Sequence, residues 1–496
     1  AEYFKELGIN QIKLMPAYEF TEMESVKTHA RYRKEEELPK RLNYWGYTKA
    51  FHFAPKRAYA ATKDPVREFK DMVKTMHRLG IEVLMEFYFP EGCSPRYITE
   101  CLQYWVQEYH VDGFHVRGVQ GICNLMATDP LFADTKLLNI YFPVEEIYGK
   151  KNLPKKRMVA ECNDGFMIDV RRFLKGDEES LKAFAERMRR NPKGSGLINY
   201  IASHDGFTLC DLVSYEERHN EDNGEQNRDG RVQNYSWNCG EEGKSRKKKI
   251  LELRNRQMKN AWCMLLLSAG TPMILAGDEF CNSQLGNNNP YCLDNEISWL
   301  NWHQLETNRD IYEFVKYMIA FRKAHPVFHL SVEPKNIDYL VCGHPDVSYH
   351  GVKTWCPEFE NFRRQLGILY CGEYGRRADG TSDDYFFVAY NMHWEPHEFD
   401  LPKLPKGMQW TLCINTDDAD NNGICPSESL EAGQEPQEEL RQYMVPPRSI
   451  LVFRGFKPIS GPASEKDGKK AGKVVKSVKR QNVRKEPEKE AETVVA

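Results

Sequence analysis

Residues 64–89 read DPVREFKDMVKTMHRLG and then IEVLMEFYF, and the change of period inside this stretch decides the fold. Asp64-Pro65 sets a capping residue before a proline at the first helical position. Val66, Phe69, Val73 and Met76 then step by three or four, the spacing of one helix face. Gly80 closes the helix, and residues 81–89 read as a strand of buried type, as in a parallel sheet covered on both faces. The unit recurs outward in both directions. Residues 9–15 read as a strand ending at Pro16. Ile98, Leu102, Trp105 and Tyr109 mark another helix, followed by a strand over 111–116. Residues 258–268 and 273–275 repeat the pair. Short buried strands alternating with helices predict parallel crossovers of one hand, and this many repeats suits a (β/α)8 TIM barrel better than an open sheet.

From about residue 336 the pattern changes. Residues 368–371, 385–391, 410–415 and 450–453 are short β-type runs between turn-rich loops, which predicts an antiparallel β-sandwich. The expected division is therefore a barrel over 1–335, a sandwich over 336–456 and a tail over 457–496. In that tail nine Lys or Arg face a single acid between residues 466 and 485, the composition of a disordered, solvated segment.

Composition excludes several classes of function. A formal net charge of −3 over 496 residues argues against a dedicated nucleic-acid binder. No apolar run is long enough to span a membrane. The 14 cysteines show no paired spacing, as expected of reduced thiols in a cytoplasmic protein. Neither a metal-ligand spacing nor a glycine-rich phosphate loop is present, so no metal or cofactor is expected. Aromatic residues reach 12%, which suits both a large core and sugar stacking. The chain starts at Ala1 within a helix-like run, so a missing N-terminal segment is expected.

Ordered motifs carry a closer resemblance. They include Asn43-Tyr44-Trp45-Gly46-Tyr47, Asp112-Gly113-Phe114, Asp169-Val170-Arg171-Arg172-Phe173 and Ser203-His204-Asp205-Gly206-Phe207. Further on come Asn220-Glu221-Asp222-Asn223-Gly224-Glu225, Gly277-Asp278-Glu279-Phe280 and Gly286-Asn287-Asn288-Asn289. Together they resemble the glycogen-debranching, isoamylase and pullulanase branch of the alpha-amylase family of glycoside hydrolases. The resemblance runs over roughly residues 1–335, with the first barrel strand unmatched. It implies retaining cleavage of α-1,6 branches, which needs one carboxylate as nucleophile and a second as acid.

The matching positions depart from that requirement. The nucleophile falls at Arg117, in Gly113-Phe114-His115-Val116-Arg117, and His115 stands at the sugar-clamping arginine. A guanidinium has no acceptor and stays protonated. It also opposes the positive charge that develops on the sugar, by about 4 kcal/mol at about 4 Å and an effective dielectric near 20. For the acid two registers compete. Ala160-Glu161-Cys162-Asn163 makes Glu161 the acid, whereas counting from Asp129-Pro130 through Thr135-Lys136 makes it Ile140. The second register is preferred, because Ala160-Glu161-Cys162-Asn163 then matches a later segment just before Asp169. In the motif that opens at Glu86, Pro90 and Glu91 replace the Asn and sugar-binding His. Only 21 residues separate Phe89 from Val111, too few for the excursion that normally walls the cleft. His204 and Asp205 survive as substrate-binding candidates, with Asp205 also expected to pair with Arg117, and Tyr47 is expected to stack on a sugar or pack in the core.

Three readings follow. The leading one is a non-hydrolytic glucan-binding or regulatory protein, with glycogen or branched maltodextrin as its ligand and an active isoamylase-type protein as a candidate partner. The second is an active α-1,6-glucosidase using Glu161, Glu145 or Glu146. The third is a purely structural interaction protein.

Overall fold

In the computed structural model the described residues are 1–25, 40–119, 121–425 and 440–457. The tail expected over 457–496 lies, beyond its first residue, outside them. Seven parallel strands run in chain order across one curled sheet: β1 (Gln11–Leu14), β2 (Glu82–Tyr88), β3 (Gly113–Arg117), β4 (Lys136–Asn139), β5 (Val159–Cys162), β6 (Gly196–Asn199) and β7 (Thr271–Pro272). Each strand is hydrogen-bonded to its sequential neighbours, as in a barrel of which seven strands lie among the described residues.

The helix α1 (Glu2–Leu7) precedes β1. Helix α2 (Pro65–Arg78) forms where the sequence places it, with Asp64 accepting from the Arg67 amide. Helix α3 (Pro95–Tyr109) begins in the same way, with Ser94 as cap and Pro95 at the first turn. The β3 side of the cleft therefore has no excursion, because α3 fills most of the link from β2 to β3. After β5 come α4 (Asp164–Lys175) and α5 (Leu181–Arg189), whose Phe173 and Phe184 rings stack at 4.2 Å. The long helix α6 (Lys248–Leu266) and α7 (Arg309–Ala324) complete this layer.

One expectation is corrected here. The last strand is Thr271–Pro272, not 273–275. Pro272 has no N–H to donate, and the ladder ends with the Met273 amide on the Asn199 carbonyl at 2.8 Å.

The alternation of side chains along the strands separates two cores. Val83, Met85, Phe87, Phe114 and Val116 face outward and pack against α2 and α3. The inward faces stack in layers, as barrel interiors do. Gln11, Glu82 and Lys136 form a polar lower layer. Leu84, Leu138 and Ile198 form an apolar middle layer with Ala160, Cys162 and Met273. Lys13, Glu86 and His115 form the layer at the C-terminal mouth.

Beyond the barrel an antiparallel sheet contains β8 (Val347–His350), β9 (Gln365–Tyr370), β10 (Tyr385–Asn391), β12 (Gln409–Asn415) and β14 (Ser449–Phe456). A two-stranded sheet, β11 (His397–Asp400) with β13 (Gln442–Val445), covers it. Tyr385, Phe387 and Ala389 point into the space between the two sheets. Phe386, Val388 and Tyr390 point the other way, against Trp262 of α6 and Phe314 of α7. Every residue of β10 is buried, which is why its sequence shows no polar alternation. No helix among the described residues is long and apolar enough to cross a membrane.

Candidate functional site

The barrel mouth is organised around Glu86, whose side chain has no exposed surface. Its Oε2 accepts from Lys13 Nζ at 3.0 Å and lies 3.1 Å from His115 Nδ1. Its Oε1 lies 2.7 Å from Arg117 Nε and accepts from the Tyr47 hydroxyl. Burial pushes this carboxyl upward, but Lys13, His115 and Arg117 overrule it and hold Glu86 well below the usual carboxylate range. Lys13, Glu86, His115 and Arg117 sit on three adjacent strands, at inward positions two residues apart where they share a strand.

An ionised Glu86 fixes the protons around it. A carboxylate only accepts, so the single Tyr47 proton goes to Glu86. His204 Nε2, 2.8 Å from the Tyr47 oxygen, must then carry hydrogen and donate. Tyr47 is aimed by Gly46, which has φ +78°; a Cβ there would approach Pro16 to 2.7 Å. Trp45 is buried and meets the His204 ring edge-on at 4.9 Å. Tyr47 therefore has its hydroxyl engaged twice, and the Arg117 guanidinium carbon stands 5.7 Å from its ring centroid.

Burial, first among its causes, pushes the His204 imidazole down to about 4. The unfolded chain takes up this proton near pH 6.5, whereas the fold refuses it until about pH 4. Stability therefore falls as pH drops through that window and is level above it. Between pH 7 and pH 4 a His204→Gln variant should lose about 3 kcal/mol less stability than the parent. Urea unfolding at pH 7, 5.5 and 4 checks this, and parallel losses in the two proteins would refute it.

The structure separates Asp205 from Arg117, against the sequence expectation. Asp205 accepts from Ser203 Oγ at 2.6 Å and from Arg231 at 3.1 Å, while Arg231 Nε also holds the Asp205 carbonyl at 2.7 Å. Arg117 is drawn instead to the fully buried Glu86, where a cation is needed most. Burial raises the Asp205 carboxyl, but His204, Arg231, Ser203 and Arg117 together hold it below its usual value. Arg231 is itself set by buried asparagines. Its carbonyl accepts from Asn288 Nδ2 at 2.9 Å, and Asn288 in turn bonds Asn220 and Asn234.

Glu161 lies on the other side of β5. Ala160 and Cys162 pack into the barrel interior, so the residue between them faces outward. Its carboxylate accepts from the Phe142 amide at 3.2 Å and from Ser195 Oγ at 3.3 Å. Ile140 follows the end of β4 and is 75% exposed, next to Tyr141 at 66%. Glu145 and Glu146 are exposed on the short helix Val144–Tyr148, and Glu91 is exposed after β2. At the mouth Glu86 and Asp205 are thus both held below their usual values with their oxygens engaged, and Asp164, exposed just after β5, accepts from the Tyr200 hydroxyl. Carboxyls that burial pushes upward lie in the core instead, such as Asp211 at about 6, bonded to Ser283 and Gln284.

Lys13, Glu86 and Arg231 are the residues that the motif comparison missed as parts of the site. For the first two a signal existed: Lys13 is the one charge in β1, and Glu86 interrupts the apolar run from Val83 to Phe87. Away from the mouth, His325, Asp383 and Asp384 bring possible ligand atoms within 4.8 Å of one another. Arg377 bridges both carboxylates at 2.9 Å and Arg454 takes Asp384 at 2.8 Å, so the group is an ion-pair network.

Residues 373–455 match the family described as the C-terminal all-beta domain of alpha amylase. The "Glycogen operon protein GlgX homolog" of Mycobacterium tuberculosis is 30% identical over 541 residues, covering 91% of this chain and 71% of that protein. The chloroplastic isoamylase 1 of Arabidopsis thaliana is 33% identical over 506 residues, covering 84% and 62%. Among solved structures, the type I pullulanase of Bacillus subtilis, complexed with maltose, superposes with a TM-score of 0.61 at 20% identity, over 91% of this chain and 63% of that one. The pullulanase of Paenibacillus barengoltzii, complexed with maltohexaose and alpha-cyclodextrin, gives 0.61 at 19% identity over 92% and 71%. This chain spans 62% to 71% of the length of these four proteins.

Proposed function

The chain belongs to the alpha-amylase family, in the glycogen-debranching branch that includes the GlgX-type and isoamylase-type proteins, and from that premise we propose that it is a non-hydrolytic, α-glucan-binding member. One observation carries the reading. The guanidinium of Arg117, where the resemblance places the family's nucleophile, is committed to a buried carboxylate 2.7 Å away. The chemistry of the mouth agrees. Retaining hydrolysis needs a free carboxylate at the sugar carbon and a protonated acid at the leaving oxygen. Glu86 has no exposed surface with which to attack, and neither it nor Asp205 has the raised pKa of a general acid. Glu161 points away from the barrel interior and is held by Phe142 and Ser195. A glucan would meet the mouth through His204, Asp205 and the exposed rim at Ile140 and Tyr141.

Two measurements test this. Calorimetric titration with maltoheptaose and gel retardation in glycogen should show binding. A reducing-end assay on pullulan and glycogen should show turnover at least about 10⁴-fold below that of an active debranching enzyme, the usual loss when a central catalytic group is removed. Clear turnover that disappears in Glu161→Gln would overturn the reading, as would the absence of any binding.

A further inference from the structure

We propose that the mouth is an anion subsite which takes a phosphate monoester carried on an α-glucosyl ring, with Arg117 as its principal anchor; this deepens the glucan-binding reading above and rests on it. Charge at the mouth comes first. Lys13, Arg117 and Arg231 face Glu86 and Asp205, and a third carboxylate, Asp164, stands exposed after β5 and takes the Tyr200 hydroxyl. His115 and His204 add nothing at neutral pH, because burial holds both imidazoles down. The formal charges therefore balance, where the resemblance places an acidic reaction centre, and the placement of the donors sets what the mouth can bind.

Donor accounting then finds the cation that is not engaged on every side. Asp205 and Arg231 form a closed pair, with Arg231 also bound to the Asp205 carbonyl. Glu86 is saturated by Lys13, His115, Arg117 and Tyr47. Arg117 is not saturated. Only its buried Nε edge approaches Glu86, as an ion pair at 2.7 Å without a directed hydrogen bond, and among the described residues no hydrogen bond engages its two Nη atoms. Its side chain is 34% exposed, so those donors are open to the mouth. The guanidinium is shelved against the Tyr47 ring and tied to Glu86, and is thus held in one orientation before any ligand arrives. A permanently charged, planar fork with two free nitrogens matches a phosphate in both charge and shape. On the neighbouring strand end, the exposed ring of Tyr141 offers a flat face for the sugar that carries the phosphate.

The experiment uses the full chain and two sources of the same chemistry. Phosphorylated amylopectin is compared with the same polymer after phosphatase treatment, by retardation in gels cast with each. Glucose 6-phosphate, α-glucose 1-phosphate, glucose and inorganic phosphate serve as soluble competitors. The phosphorylated polymer should bind about tenfold tighter than its treated form, with a preference that shrinks as salt rises. Arg117→Gln should bring the ratio close to one, while Arg117→Lys should keep part of it. Should Arg117→Gln fail to fold, the parent still decides, because glucose 6-phosphate must then displace the phosphorylated polymer at far lower concentration than glucose does. Equal retention of the two polymers, with maltoheptaose still bound, overturns the anion subsite and leaves the glucan reading intact. Binding of hexose phosphates without any polymer supports the subsite and overturns the glucan reading. Inorganic phosphate competing as well as glucose 6-phosphate overturns the glucosyl part of the subsite.

Discussion

A Glu86→Gln substitution should destabilise the fold by about 3–5 kcal/mol, the loss expected when one partner of a buried ion network is removed. Glutamine preserves the shape but not the charge. Lys13, with 17% of its side chain exposed, and Arg117 would then share the mouth without a counter-ion. The Tyr47 proton would still find an amide oxygen, but the two oxygens that now serve four donors would become one oxygen and one NH₂. The loss should appear as a lower midpoint in urea with an unchanged slope. A second substitution identifies the cause. Lys13→Met in the Glu86→Gln background should recover at least about 1 kcal/mol, because it removes one of the stranded cations. If Glu86→Gln unfolds at the parent's urea concentration, the charges at the mouth are solvated and the network described here does not hold the barrel together.

The contrast between Glu86 and Glu161 shows how much of the site could be read from the sequence. The period of residues 64–89 was enough to place α2 and β2, because helix caps and buried strands leave local marks. Of the seven antiparallel strands among the described residues beyond the barrel, β9, β10, β12 and β14 were legible as short runs between turns, whereas β8, β11 and β13, of four residues each, were not singled out. Motif comparison then singled out Arg117 and His204, which do meet around Glu86 and Tyr47. Which way a side chain points was harder to read. Glu161 stands in an acid-like context, and its outward direction follows only from register, once Ala160 and Cys162 are seen to face inward. The partner of Arg117 was harder still. Two carboxylates were available, and burial decided between them: Glu86, fully enclosed, gains more from a cation than Asp205, which has 34% of its side chain exposed and takes Arg231 from a distant loop. Arg231 had no local signal, since the asparagines that aim it are 54 to 68 residues from their partners in sequence.

Placing carboxylates at the two positions where the resemblance expects them should not by itself confer cleavage. The double variant Arg117→Asp/Ile140→Glu should stay at least about 10⁴-fold below an active debranching enzyme on pullulan. At position 117 the new carboxylate would arrive beside Glu86, in the place of the cation that now lies 2.7 Å from it. Two acids sharing Lys13 cannot both ionise easily, so the pair would retain a proton and the nucleophile would be blunted. At position 140 the opposite problem arises. The present side chain is 75% exposed, so a carboxyl there would keep an ordinary pKa of about 4.3 and be protonated on the order of 0.2% of the time at pH 7. A general acid needs burial or a like charge to hold its proton, and the rim supplies neither. Assaying reducing ends at pH 7 and again at pH 4.5 separates the two defects, because lowering the pH loads the acid at position 140 without mending the nucleophile. Turnover that emerges at pH 4.5 would show that position 117 still reaches the sugar carbon, and that only the acid was lost.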